Sequence, residues 1–150
     1  MDIPPKIHLA ASEKGTPYLQ VSVSFQEVEP YLKKMCLFLN ESDFCNYILN
    51  QKSRDEYNYH ITVIDPIEYQ DNTKQALYQT LEGCPVDYHL IGLGRVKKDQ
   101  EEVFFVVIES PKMDNLRAQV GLPKRDFHVT LGFKHRDIHE VIKDRTTLIH

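Results

Sequence analysis

The clearest pattern in the chain is a two-residue alternation from Tyr18 to Phe25. Leu19, Val21, Val23 and Phe25 fall on one side of an extended strand, and Tyr18, Gln20, Ser22 and Ser24 on the other. The period then changes. Val28, Tyr31, Leu32, Met35 and Leu39 follow helical spacing, with Pro30 in what must be the first turn. A second helical piece runs from about Ser42 to Asn50, with Phe44, Ile48 and Leu49 inward, and the polar segment Gln51 to Tyr57 reads as a connection. Tyr59 to Ile64 is again a strand, ended by Asp65-Pro66. Asp71 to Leu81 predicts a helix with Leu77 and Leu81 inward and Gly83 beyond its end.

The second half opens on a hairpin. Its arms run from about Val86 to Val96 and from Val103 to Glu109, around a charged turn at Lys97 to Glu102. Gly92 and Gly94 share one face of the first arm, which signals close approach of a neighbouring element or a substrate. A short helix follows, with Ser110 as N-cap, Pro111 in the first position and Gly121 at the stop. After Leu122 to Arg125 comes a last strand, Phe127 to Phe133. Asp137 and Glu140 then resemble a capping box opening a final helical turn with Ile138, Val141 and Ile142. Strand, helix and a strand ending in His-x-Thr thus occur twice, which suggests two lobes with approximate symmetry within a single domain over residues 1–150. Residues 1–17, carrying Pro4, Pro5, Gly15 and Pro17, read as an irregular segment over the surface.

Composition adds limits. The 150 residues are 41% hydrophobic and 27% charged, ordinary for a globular domain with a real core. No apolar run suits a membrane span and no signal peptide is evident, so no membrane partner is expected. The three cysteines, Cys36, Cys45 and Cys84, form no C-x-x-C pair and read as small buried hydrophobes in a reducing, cytoplasmic compartment. The net charge of −4 argues against coating long duplex nucleic acid. That charge is uneven: residues 1–90 hold 7 basic and 13 acidic side chains, residues 91–150 hold 11 and 9. A small phosphorylated ligand or an RNA end remains compatible, because it needs only local donors.

The candidate chemistry lies in the two matching strands. Tyr59-His60-Ile61-Thr62-Val63 and Phe127-His128-Val129-Thr130-Leu131 each put an imidazole and a hydroxyl on one face of an otherwise apolar strand. A lone His-x-Thr is common by chance; the stricter string of His, apolar, Thr, apolar, found twice, is not. Cleaving a phosphodiester needs a base, an acid and donors for the phosphoryl oxygens. His60 and His128 are the expected base and acid, one starting neutral and the other protonated, with the assignment between them left open. Thr62 and Thr130 are the expected phosphate donors. This scheme requires no metal and no cofactor.

These motifs, the chain length and the order of elements resemble the 2H phosphoesterases. The longer strings around His60 and His128 look most like a subgroup associated with RNA repair. The resemblance implies an α+β, two-lobed, pseudo-symmetric fold with antiparallel sheets flanked by helices around a central cleft. It also implies a phosphodiesterase acting on 2′,3′-cyclic phosphates or related bonds of small nucleotides and RNA ends, and a monomer is expected. Removal of a cyclic or 2′-5′-linked nucleotide messenger, ligation of 2′-5′ ends, and a non-catalytic nucleotide- or RNA-end-binding module remain alternatives. A metal site is a further rival, since His135 and His139 have i, i+4 spacing near His128. Tyr18 and Gln20 are candidates for a pocket wall, Lys124, Arg125 and Lys134 for attracting phosphate, and Phe105 or Phe133 for stacking on a base. His8, His89 and His150 carry no assigned role.

Overall fold

The computed structural model describes residues 3–150. It contains two three-stranded antiparallel sheets. The first has the order β1 (Ile7–Ala11), β2 (Pro17–Val23), β3 (Tyr59–Ile64); the second has β4 (His89–Lys98), β5 (Glu101–Glu109), β6 (His128–Phe133). Between β2 and β3 lie α1 (Phe25–Met35) and α2 (Glu41–Asp55), and α5 (Pro111–Gln119) precedes β6. The fold is α+β with two lobes, as expected. The strands β3 and β6 pack against one another, so the sheets meet along their two His-Thr strands.

The helices do not stay with their own halves. From the first half, α2 packs on β6 and α1 contacts β4 and β5, while α5 of the second half packs on β3. One main core therefore unites both sheets. It takes Val21, Ile61 and Val63 from the first, Phe104, Val106, Val129 and Leu131 from the second, and Met35 and Tyr47 from the helices. A smaller cluster of Val103, Phe105, Val107, Phe133 and Ile138 covers the opposite face of the second sheet. β5 is thus apolar on both faces, which explains its nearly uninterrupted hydrophobic run.

Several sequence expectations change. Residues 7–11 are not irregular: they form β1, paired with β2 from Ile7↔Val21 to Ala11↔Pro17. The far edge of β1 is held too, with Ile7 N–H donating to the Cys84 carbonyl at 3.0 Å and Gly83 N–H to the Ile7 carbonyl at 2.7 Å. α1 begins at Phe25 behind a Ser24–Glu27 capping box, so Phe25 leaves the strand and Pro30 falls past the first turn. α2 extends through the expected connection to Asp55, where Glu56, at φ 53°, caps it by donating its N–H to the Lys52 carbonyl, and the fully buried Gln51 side chain donates to the Asn58 carbonyl beyond the end at 2.9 Å. Its buried residues are Tyr47 and Gln51, and Leu49 is exposed.

The expected helix from Asp71 to Leu81 is broken into α3 (Pro66–Tyr69), a 3-10 turn over Asn72–Lys74 and α4 (Gln75–Gln79), with Tyr78 rather than Leu77 buried. The hairpin turn is reduced to Asp99 and Gln100, with Asp99 at φ 56°. No helix forms at Asp137–Ile142. Cys36 and Cys45 are exposed and Cys84 is half-buried, so the cysteines are not core residues. No helix among the described residues is long and apolar enough to cross a membrane.

What approaches Gly94 is protein. A Cβ there would lie 2.5 Å from the Phe105 ring and 2.9 Å from Thr147 Oγ1, and a β-bridge joins Gly94 to Leu148. The C-terminal segment lies over this face and closes it.

Candidate active site

On β3, Tyr59, Ile61 and Val63 are buried in the main core, which turns the half-buried His60 and Thr62 to the other face. On β6, Val129 and Leu131 are buried in the same core and turn His128 and Thr130 away from it. Register fixes their neighbours. His60 is opposite Ser22 and Thr62 opposite Gln20, while His128 is opposite Val107 and Thr130 opposite Phe105. The Phe105 ring meets the His128 ring edge-on at 5.8 Å. His128 Nδ1 is 2.8 Å from the Asp126 carbonyl, an acceptor, so this nitrogen carries the proton and Nε2 is the free lone pair.

A charged cluster lies beside Thr130 and the two histidines. Its centre is Asp137, with a side chain only 4% exposed. Arg54 Nη1 lies 2.5 Å from Asp137 Oδ2, Lys143 Nζ lies 3.1 Å from Oδ1, and the Thr130 hydroxyl leans on Oδ2 at 3.4 Å. Arg54 also grips Asp55 through Nε and Nη2, each at 2.8 Å, and lies over the Phe133 ring at 5.1 Å. The Lys143 ammonium lies over the Phe105 ring at 5.6 Å. A buried lysine and a half-buried arginine sharing one buried carboxylate compensate the cost of removing each charge from water.

Burial, modified by this cluster, sets the protonation of both histidines. Burial pushes the His60 imidazole below its ordinary value; Asp55 and Asp137 oppose that shift, and Arg54 and His8 add to it. Burial, followed by the Lys143 ammonium, brings His128 down to about 3, against the opposing pull of the Asp126 carbonyl and Asp137. Burial works against the Asp137 carboxylate, but Lys143 and Arg54 outweigh it and hold the acid well below the usual range. Both imidazoles are therefore neutral in the free protein at pH 7. The expected pairing of one neutral and one protonated histidine is not its resting state.

The remaining sequence candidates divide. The Tyr18 ring lies 5.8 Å from His60, and its hydroxyl donates to Gln20 Oε1 at 2.7 Å, so the polar face of β2 adjoins the His-Thr face. Arg125 pairs with Asp65 at 3.1 Å, and Lys124 and Lys134 are exposed. Phe105 and Phe133 are buried and offer no open ring for a base. His135 Nδ1 lies 3.3 Å from Glu101, and no helix spans His135 and His139. No group of three or more potential metal-ligating side chains converges among the described residues. Two hollows of about 420 and 390 Å³ lie near the starts of the two motif strands, the first lined by Ser24, Lys52 and Tyr59 and the second by Lys124, Arg125, Asp126, Phe127 and Lys143; neither is lined by His60, Thr62, His128 or Thr130.

Sequence reasoning missed Arg54, Asp55, Asp137 and Lys143. Arg54 and Asp55 lay in an expected connection, Asp137 looked like a helix cap, and Lys143 had no pattern around it. The only available signal was their charge close to otherwise apolar strands.

Residues 18–139 match the family described as Swiss Army Knife, 2H phosphoesterase domain. No curated protein and no solved structure gives a significant match. The matched stretch takes in β2 and both His-Thr strands, and β1 and Lys143 lie outside it. With four-fifths of its residues in that match, and with the two His-Thr strands packed together, the chain belongs to the 2H phosphoesterases, enzymes of phosphoester cleavage.

Proposed function

We propose that the protein is a metal-independent phosphodiesterase that hydrolyses 2′,3′-cyclic phosphates or related phosphodiester bonds in small nucleotides or RNA ends. The observation that carries this reading is that the two His-Thr motifs lie on strands packed against one another, with His60, Thr62, His128 and Thr130 turned away from the core those strands share. In this reading His128 is the base. Its Nδ1–H is committed to Asp126, Nε2 is free to take a proton from water, and burial, followed by Lys143, keeps the ring neutral. His60 is the acid. Asp55 and Asp137 favour its imidazolium, and an arriving phosphate anion adds to that pull until the ring can protonate the departing ribose oxygen. Water attacks phosphorus as the P–O bond to the ribose breaks, and the two roles exchange in the reverse direction. Thr62, with no protein partner for its hydroxyl among the described residues, donates to one phosphoryl oxygen, and Thr130 donates to another by letting go of Asp137.

The two imidazoles supply both proton transfers, so activity is expected to survive EDTA. Small substrates, a monomer and a cytoplasmic setting accompany this reading. Net charge −4 disfavours long duplexes, and three unpaired cysteines suit a reducing compartment. The experiment is a panel of 2′,3′-cyclic nucleotides, 2′-5′ and 3′-5′ dinucleotides and cyclic dinucleotides, assayed in EDTA with wild type, His60→Ala and His128→Ala. Each variant is expected to lose about 10²- to 10⁴-fold in turnover while retaining its circular dichroism spectrum. Normal turnover by either variant would refute the two-histidine mechanism.

A further inference from the structure

We propose that the polar face shared by β1 and β2 is a subsite for a neutral nucleoside attached to the scissile phosphate, with His8, Gln20, Ser22 and Tyr18 as its recognition residues. The proposal rests on the phosphodiesterase reading and extends it from the reacting phosphate to the group beside it.

Position is the first argument. Ile7, Leu19, Val21 and Val23 are buried in the core, which turns His8, Tyr18, Gln20 and Ser22 to the opposite face. Cross-strand register places Gln20 between Thr62 on β3 and His8 on β1, and places Ser22 opposite His60. The face is therefore continuous with the His-Thr face. Neighbouring strands lie about 4.8 Å apart, so the row from Thr62 through Gln20 to His8 reaches roughly 10 Å from the reacting strand. That is the reach of a ribose and base extending from a phosphate held at His60.

Organisation is the second. The Tyr18 hydroxyl donates to Gln20 Oε1 at 2.7 Å, which orients the amide so that Gln20 Nε2 donates to His8 Nε2 at 2.9 Å. Ser22 Oγ lies 3.4 Å from the same imidazole nitrogen. His8 Nδ1 is left with the proton and lies 3.5 Å from the Lys6 carbonyl. Polar side chains on a merely solvated sheet face have no need to hold one another. Here Tyr18, Gln20 and His8 are linked, Ser22 lies beside them, and the row is aligned with the two residues of the first motif.

The ligand class follows from what the linked groups still offer. Gln20 retains one amide N–H and one oxygen lone pair, and Ser22 retains its hydroxyl. Tyr18 adds the side of a ring beside His60. These are partners for ribose hydroxyls and base edges. A phosphate would call for arginine or lysine, whereas none of these four side chains is a lysine or arginine, and Arg54 and Lys143 are engaged at Asp137.

The test compares two substrates in wild type, His8→Ala and Gln20→Leu. One is a nucleotide diester with a nucleoside on the phosphate; the other is bis(p-nitrophenyl) phosphate, which has none. The expected result is an increase in KM for the nucleotide and about a tenfold fall in the ratio of kcat/KM between the two substrates. An unchanged ratio would overturn the subsite. If neither diester is turned over by wild type, the phosphodiesterase reading fails and the subsite is decided separately. Adenosine and uridine, without phosphate, are then titrated while the His8 imidazole resonances are followed. Saturable shifts in wild type that vanish in Gln20→Leu support the proposal, and no shift at millimolar nucleoside overturns it.

Discussion

Arg117 holds Glu68 by two parallel hydrogen bonds, Nη1 to Oε1 at 2.8 Å and Nη2 to Oε2 at 2.7 Å, although Arg117 is only 2% exposed. The same guanidinium donates to the Val63 carbonyl at 2.8 Å and to the Pro123 carbonyl through Nε and Nη2 at 3.0 and 2.8 Å. All five N–H groups are used. One side chain on α5 thus ties the end of the first His-Thr strand to the chain leading into the second. Burial opposes the Glu68 charge, but the bonds from Arg117 outweigh it and lower the carboxyl's pKa.

Arg117→Met is therefore expected to cost about 3 kcal/mol or more, because it strands the Glu68 carboxylate and two carbonyls. Arg117→Lys keeps the charge but not the fork, and should recover less than half of that loss. Urea unfolding measures both. A Met variant as stable as wild type would show that the clamp is not needed for the two halves to stay together.

Stability should fall on acidification. His128 has a folded value of about 3 against an ordinary unfolded value near 6.5, so between those limits the unfolded chain binds more protons. Stability is then complete above about pH 6.5 and declines as pH falls toward 3. Asp137 is held below its ordinary value and acts in the same direction, adding a loss as pH drops below about 4. Urea midpoints at pH 7, 5.5 and 4 should decrease in that order, and His128→Asn should flatten the upper part of the slope. Equal midpoints would contradict the half-buried, neutral imidazole.

Lys143→Met removes the cation that most opposes protonation of His128 after burial. The His128 pKa is expected to rise, and the acid limb of the rate profile to move to higher pH with it. Proton titration of the imidazole by NMR reads the first effect independently of activity. An unmoved His128 would mean that burial alone sets its protonation.

Gly132 sits where α2 crosses β6. A Cβ there would lie 2.9 Å from both the Tyr47 carbonyl oxygen and Met35 Cε, and the carbonyl is backbone that cannot step aside. Gly132→Ala is expected to cost about 1–3 kcal/mol by pushing α2 off the strand. Because Arg54 rides on α2, it should also loosen the Arg54–Asp137 pair. Thermal unfolding measures the first effect; a neutral result would show that the helix has room to move.

Much of the local structure was legible in the sequence. Alternation marked β2, β3 and β6 and the faces of His60, Thr62, His128 and Thr130, because a strand converts spacing directly into sidedness. Ser110 and Pro111 marked the start of α5, where the Ser110 hydroxyl accepts from Met113 N–H at 3.1 Å, because capping is a contact within one turn. Such features depend on residues a few positions apart. β1 was not legible, since five residues after two prolines become a strand only by pairing with β2 and by the bonds of Ile7 to residues 83 and 84.

Tertiary structure alone decided the rest. That β3 and β6 pack together, and that Asp137 joins Arg54 from 83 positions earlier in the chain instead of capping a helix, are long-range outcomes. So is the neutral resting state of both imidazoles, because burial and neighbouring charges depend on what surrounds a ring in space. The sequence by itself determined which side chains are the candidates for the chemistry and which way each turns from its own strand. Their common neighbourhood, and the state of their protons, arose only when two distant strands and the end of α2 were packed around one buried carboxylate.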